Sequence, residues 1–102
     1  MTTLADIQAA ALRIRDFVHR TPVLTSATLD RELGASLFAK CENLQKCGAF
    51  KARGACNAVF ALEAATAQRG VITHSSGNHG AALAYAARAR GVPCTVVMPD
   101  TA

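Results

Sequence analysis

At 102 residues the chain is one small domain at most, and a makeup of 51% hydrophobic and 18% charged residues is that of a globular protein rather than a disordered or fibrous one. The net charge of +4 comes from scattered residues (Arg13, Arg15, Arg20, Lys40, Lys46, Arg69, Arg88, Arg90), with no basic run interleaved with aromatics, which argues against a nucleic-acid partner. The stretch 70–87 carries no Asp, Glu, Lys or Arg, but His74, Ser75, Ser76, Asn78 and His79 make it too polar to cross a bilayer.

In chain order, Leu4, Ile7, Ala11, Ile14 and Val18 recur at helical spacing. Thr3 can cap that helix and Asp6 suits its first turn, so a helix is predicted to run to about Arg20 and to stop before Thr21-Pro22. Ser26 reads as the N-cap of a short helix that ends at Gly34. Residues 35–40 read as a strand, 41–48 as loop and 50–65 as a helix with Phe50, Cys56, Val59 and Phe60 on one face. Val71 to His74 is a short β-branched run, hence a strand. A turn over 75–80, an alanine-rich helix over 81–90 closed by Gly91, and a strand over 94–98 complete the chain.

From residue 35 the order is βαβαβ, which predicts an α/β fold with three parallel strands, preceded by a helical segment over 1–34. Residues 35–102 form the α/β unit, expected to be the front part of a larger α/β protein. Alanine buries little area, so the core is expected to rest on Ile7, Ile14, Phe17, Leu37, Phe38, Phe50, Phe60, Leu62, Val71, Ile72, Leu83, Val96 and Val97. Cys41, Cys47, Cys56 and Cys94 form no CxxC pair, so reduced thiols are expected and no metal site. The first residues lack the basic start and apolar run of a signal peptide, and the expected location is cytoplasmic.

Two segments carry chemistry. Ser75-Ser76-Gly77-Asn78-His79-Gly80 follows a strand and opens a helix. In an open parallel sheet that is where ligands sit, and backbone N–H groups there can hold an anion. The plainer reading is a strand-to-helix turn with Ser and Asn as caps. The other segment is Gly48-Ala49-Phe50-Lys51-Ala52-Arg53-Gly54. Lys51 near a helix start sits in a field unfavourable to a cation, which makes its amine a better nucleophile toward an aldehyde. Its plainer reading is a solvated lysine. Arg53 reads as a surface or ion-pairing residue, His19 and His74 as structural, and Cys47 as lining the same cavity as Lys51. The expectation is that the Lys51 amine and the 75–80 bend meet over one pocket.

Taken in this order, these segments resemble the pyridoxal-phosphate enzymes of the serine/threonine dehydratase and serine racemase family, of fold type II. The resemblance extends through Thr21 to Ser26, Lys40 to Lys46, Phe50 to Ala55, Asn57-Ala58-Val59 and Thr73 to Gly80, and ends with Val97-Met98-Pro99. It implies that Lys51 holds pyridoxal 5'-phosphate as a Schiff base, with Phe50 beside the cofactor and Asn78 hydrogen-bonded to its ring hydroxyl. Ser75, Ser76, Gly77, Asn78 and His79 match the loop that binds the substrate carboxylate. Ser76 also matches the opposite-face acid/base of serine racemases, and the catalytic pair is Lys51 and Ser76. The implied reaction is deamination of L-serine or L-threonine to a 2-oxo acid and ammonia, with serine racemisation as the alternative. His79, where cysteine synthases generally have threonine, favours this branch. Ala49 and Cys47 depart from the usual serine and threonine. The family's phosphate loop is not among these residues, so an inactive fragment or a small anion-binding module is a further alternative. In the family, 1–34 belongs to the larger domain, the substrate is a small amino acid and the full-length protein is a homo-oligomer.

Overall fold

The computed structural model describes residues 1–102. Helix α1 spans Leu4–Ile14 and begins in a capping box: Thr3 Oγ1 accepts from the Asp6 N–H, and the Asp6 carboxylate accepts from the Thr3 N–H. The helix stops at Ile14, six residues short of the expected end, in a turn closed by the Phe17 N–H on the Ile14 carbonyl. That turn lets Phe17 stack on Phe60, with ring centroids 4.1 Å apart, and offers the Phe17 carbonyl to the Tyr85 hydroxyl. Tertiary packing there outweighs the helical period.

Strand β1 (Val23–Leu24) pairs antiparallel with β2 (Ala39–Lys40). The expected strand over 35–40 is therefore shortened to two residues, and it does not join the parallel sheet. Between the two lies α2 (Ala27–Leu33), capped by Ser26 and ended by Gly34 in the left-handed region at φ 63°. Two 3-10 turns follow, at Glu42–Leu44 and Lys46–Gly48.

Helix α3 (Lys51–Ala61) is followed by a separate short α4 (Ala64–Gln68), where one helix over 50–65 was expected. Leu62 and Glu63 are extended between them, and the Arg90 guanidinium donates to the carbonyls of Val59 and Leu62. That arginine satisfies carbonyls the end of α3 leaves open. Strand β3 (Val71–His74), α5 (Asn78–Arg90) and β4 (Cys94–Val97) form a βαβ unit in which β3 and β4 pair in parallel, Val71 opposite Cys94. Gly91 ends α5 at φ 75°. The fold is thus α/β, with two parallel strands rather than three.

The core sits between α3 and α5 and consists mainly of small residues. Ala52, Ala55, Cys56 and Val59 recur at helical spacing on α3 and meet Ala82, Leu83 and Ala86 of α5, with Ile14 of α1 closing the cluster. Several large residues expected inside lie outside: Ile7, Phe38, Phe50, Val97 and, at 72% exposed, Ile72. The alanines instead let two helices approach closely, and little room is left between them for bulk. In the sheet Val71, Thr73, Cys94 and Val96 are half-buried, whereas the alternate residues of both strands are exposed.

Candidate functional site

Two contacts fix how α3 and α5 run. At one end, the Cys47 thiol just before α3 lies 3.7 Å from the Ala81 carbonyl in the first turn of α5. At the other, Arg90 at the end of α5 caps the last turn of α3. The helices are therefore parallel, and both N-termini face the same end of the molecule. Lys51 is the first residue of α3 and Asn78 the first of α5, and neither helix start has a side-chain cap. Two positive helix ends with unused backbone donors thus lie side by side.

The 75–80 segment is built on β3 and held by its own first serine. The Ser75 N–H donates to the Val97 carbonyl at 2.9 Å, extending the parallel pairing. Ser75 Oγ accepts from the N–H groups of Gly77 and Gly80 at 3.2 and 3.0 Å. Gly80 is buried, and a Cβ there would meet Val96 Cγ1 at 3.0 Å and the Ser75 carbonyl oxygen at 3.1 Å, so the close approach requires glycine. With Ser75 turned inward, Ser76, Gly77, Asn78 and His79 are exposed. A cavity of about 630 Å³ is lined by His74, Ser75, Ser76, Gly77 and Val97 to Pro99. Another, about 340 Å³, shares Ser75, Ser76, Gly77 and Met98 and reaches Gly80, Ala81, Ala84 and Val96.

Lys51 and Phe50 line neither cavity; both are exposed, with Lys51 Nζ 5.4 Å from the centroid of the Phe50 ring. The lysine amine is thus brought to the same end of the molecule as the bend, on the neighbouring helix start. Cys47 is exposed and lies against α5 rather than in the loop cavities. It holds φ 60°, and Gly48 follows at φ 66°, so two successive left-handed residues bend the chain into α3.

A polar network lies beneath this bend, and sequence spacing gave little sign of it. Glu42 accepts two hydrogen bonds from the Arg53 guanidinium, at 2.8 and 2.7 Å, and one from Thr21 Oγ1 at 2.6 Å. Arg53 holds the Glu42 carboxyl well below the usual range, at about 2; burial opposes the shift and the Thr21 hydroxyl adds to it. The Arg53 guanidinium is correspondingly pushed up by the Glu42 bond. Gln45 is buried and bridges the backbone of His19, accepting its N–H at 2.7 Å and donating to its carbonyl at 2.8 Å. Lys40 Nζ donates to the Thr21 carbonyl at 2.7 Å. Arg53 is an ion-pairing residue as expected, and His19 is structural, its ring Nδ1 3.1 Å from the Leu44 carbonyl. The only advance signal was the coincidence of Glu42 and Arg53 in one polar stretch.

As a place for an aldehyde cofactor the end fits in part. It offers a lysine amine with no side-chain partner, the face of Phe50, the amide of Asn78 and backbone donors. No helix of the chain is long and apolar enough to cross a membrane.

Comparison with known proteins agrees with this arrangement. The profile of the pyridoxal-phosphate dependent enzyme family matches residues 14–102. Serine racemase from Dictyostelium discoideum is 55% identical over 100 residues, covering 98% of this chain and 31% of that protein. Its crystal structure superposes with a TM-score of 0.96 over 99% of this chain and 33% of its own. The β-hydroxyaspartate dehydratase of Paracoccus denitrificans is 58% identical over 100 residues, 98% of this chain and 32% of that one. A bacterial-type relative, the threonine deaminase of T.th., superposes with a TM-score of 0.86 at 50% identity, covering 96% of this chain and 31% of its own. The chain thus spans about a third of the length of these relatives, and its α/β arrangement is a part of fold type II. With a family profile over most of its length and folds matched at half identity, the chain belongs to the pyridoxal-phosphate dependent enzymes.

Proposed function

We propose that the protein performs pyridoxal-phosphate-dependent deamination of L-serine or L-threonine to a 2-oxo acid and ammonia, with Lys51 and Ser76 as its catalytic residues. One observation carries the reading: the parallel packing of α3 and α5 brings the starts of both helices, with Lys51 and the 75–80 bend, to one end. When bound, the cofactor's ring withdraws electrons from the substrate Cα and so acidifies its proton. The chain's own residues do the rest. Lys51 Nζ binds the cofactor, is released when the substrate amine takes its place, and then accepts the Cα proton. Backbone N–H groups of the bend, with the Ser76 hydroxyl and Asn78 amide, hold the substrate carboxylate against the positive start of α5. Phe50 offers an apolar face to the ring. The exposed His79 adds a further donor to the bend.

A second reading is serine racemisation, favoured by the 55% identity to a serine racemase and by the exposed Ser76 hydroxyl in the loop cavity. Here Ser76 returns a proton from the face opposite Lys51. The test is absorbance and product analysis. Mixed with pyridoxal phosphate, the protein gains a visible band that Lys51→Ala lacks, and it releases ammonia and 2-oxo acid from L-serine or L-threonine. Lys51→Ala lowers turnover by about 10³-fold, the scale of a lost general base. Chiral analysis of recovered serine separates racemisation, which Ser76→Ala abolishes, from deamination. A band of equal intensity in Lys51→Ala overturns the assignment of the lysine.

A further inference from the structure

The Lys51 segment is fastened at both ends to one backbone oxygen. Gln45 Nε2 donates to the His19 carbonyl at 2.8 Å, and the Arg53 guanidinium donates to that same carbonyl at 3.3 Å. Residues 46–52 form the loop between these two attachments, and Lys51 lies within it. Both attachments are braced. Gln45 Oε1 also accepts the N–H groups of His19 and Lys46, at 2.7 and 2.9 Å. Arg53 is held in a bidentate fork by Glu42, which the Thr21 hydroxyl steadies in turn. Inside the loop, Cys47 and Gly48 adopt left-handed backbone and Ala49 is buried. The segment therefore has closed ends, a fixed bend and a buried floor, while Lys51 and Phe50 themselves are exposed.

We infer that Glu42, Arg53 and Gln45 form a clamp on the His19 carbonyl that positions Lys51 Nζ for the cofactor. These are positioning residues, acting through the 46–52 backbone and touching no substrate. The inference rests on the reading that Lys51 binds the cofactor, but the clamp can be tested apart from it. The opposite end of α3 supplies a control, since Arg90 braces the same helix without reaching the loop.

Arg53→Lys keeps the charge but loses the fork, and Glu42→Gln keeps the shape but loses the charge. Each is compared with Arg90→Lys at a temperature where all three have lost similar thermal stability. Amide hydrogen exchange is followed along the chain, and capture of pyridoxal phosphate at Lys51 is followed by borohydride reduction and peptide mass. Both clamp variants are expected to speed exchange over 46–52 by at least tenfold and to slow capture by a similar factor. Arg90→Lys should do neither, loosening the end of α3 instead. Exchange over 46–52 that rises no more than elsewhere in the chain overturns the clamp. Faster exchange with unchanged capture overturns its positioning role. If the unmodified protein captures no cofactor at Lys51, the functional reading falls, while exchange still decides whether the clamp exists.

Discussion

Protonating or removing the Glu42 carboxylate gives the clearest quantitative test of the network under the bend. Arg53 holds that carboxyl at about 2 rather than 4.5. At about 1.36 kcal/mol per pKa unit this caps its contribution near 3.4 kcal/mol. The Arg53 side chain is 35% exposed and Glu42 18%, so solvent screening reduces the expected value to about 1–2 kcal/mol. Because the folded-state value is depressed, the stabilisation is complete above about pH 4.5 and is lost as pH falls toward 2. Urea unfolding of the unmodified protein and Glu42→Gln, followed by circular dichroism from pH 7 to 2.5, measures it. The two should differ by about 1–2 kcal/mol at pH 7 and converge below pH 3. Asp6, whose carboxyl is lowered by its bonds to the Thr3 backbone and hydroxyl, titrates in both proteins and drops out of the difference. A gap that stays constant from pH 7 to 2.5 would refute the assignment, as would one already closed at pH 5.

Three further substitutions probe the scaffold. Gly80→Ala forces a methyl against Val96 and the Ser75 carbonyl, and should cost about 1–2 kcal/mol in thermal unfolding despite alanine's higher helix propensity; a more stable variant would contradict the close approach. Ser75→Ala removes the acceptor shared by the Gly77 and Gly80 amides, so their hydrogen exchange should accelerate while that of Ala61 is unchanged, with about 1–2 kcal/mol lost on unfolding. Thr3→Ala breaks the capping box and should lower stability by about 1 kcal/mol, read as earlier fraying of α1 by circular dichroism.

What could be read in advance followed local chemistry. Ser26 and Gly34 bracket α2, and β3 and β4 lie where their β-branched runs are. The 75–80 segment is legible for the same reason: it joins a strand to a helix and is small and polar throughout. The rest depended on partners distant in sequence. Residues 35–40 look like a central strand, yet only two of them pair, with Val23–Leu24. Nothing in residues 15–20 announces that α1 must break so that Phe17 can reach Phe60 and Tyr85. Alanine misled most. It is common on any helix, so which alanines would lie at zero exposure between α3 and α5 could not be told from spacing alone. For the same reason the large side chains were assigned inside when Phe38, Phe50 and Ile72 lie outside. The Glu42–Arg53 pair joins residues eleven apart across a double bend, where no periodic pattern applies.

The alanine contact between α3 and α5 has a bearing on how the chain tolerates change. Ala52, Ala82 and Ala86 are wholly enclosed, and a close-packed interior has no slack to absorb an added methylene. Widening the gap at any of these positions would push apart the two helix starts that bear Lys51 and Asn78. The spacing of amine and bend is thus gauged by the smallest side chains in the molecule, and drift at this inconspicuous gauge would mistune the chemistry while every reactive group stayed in place.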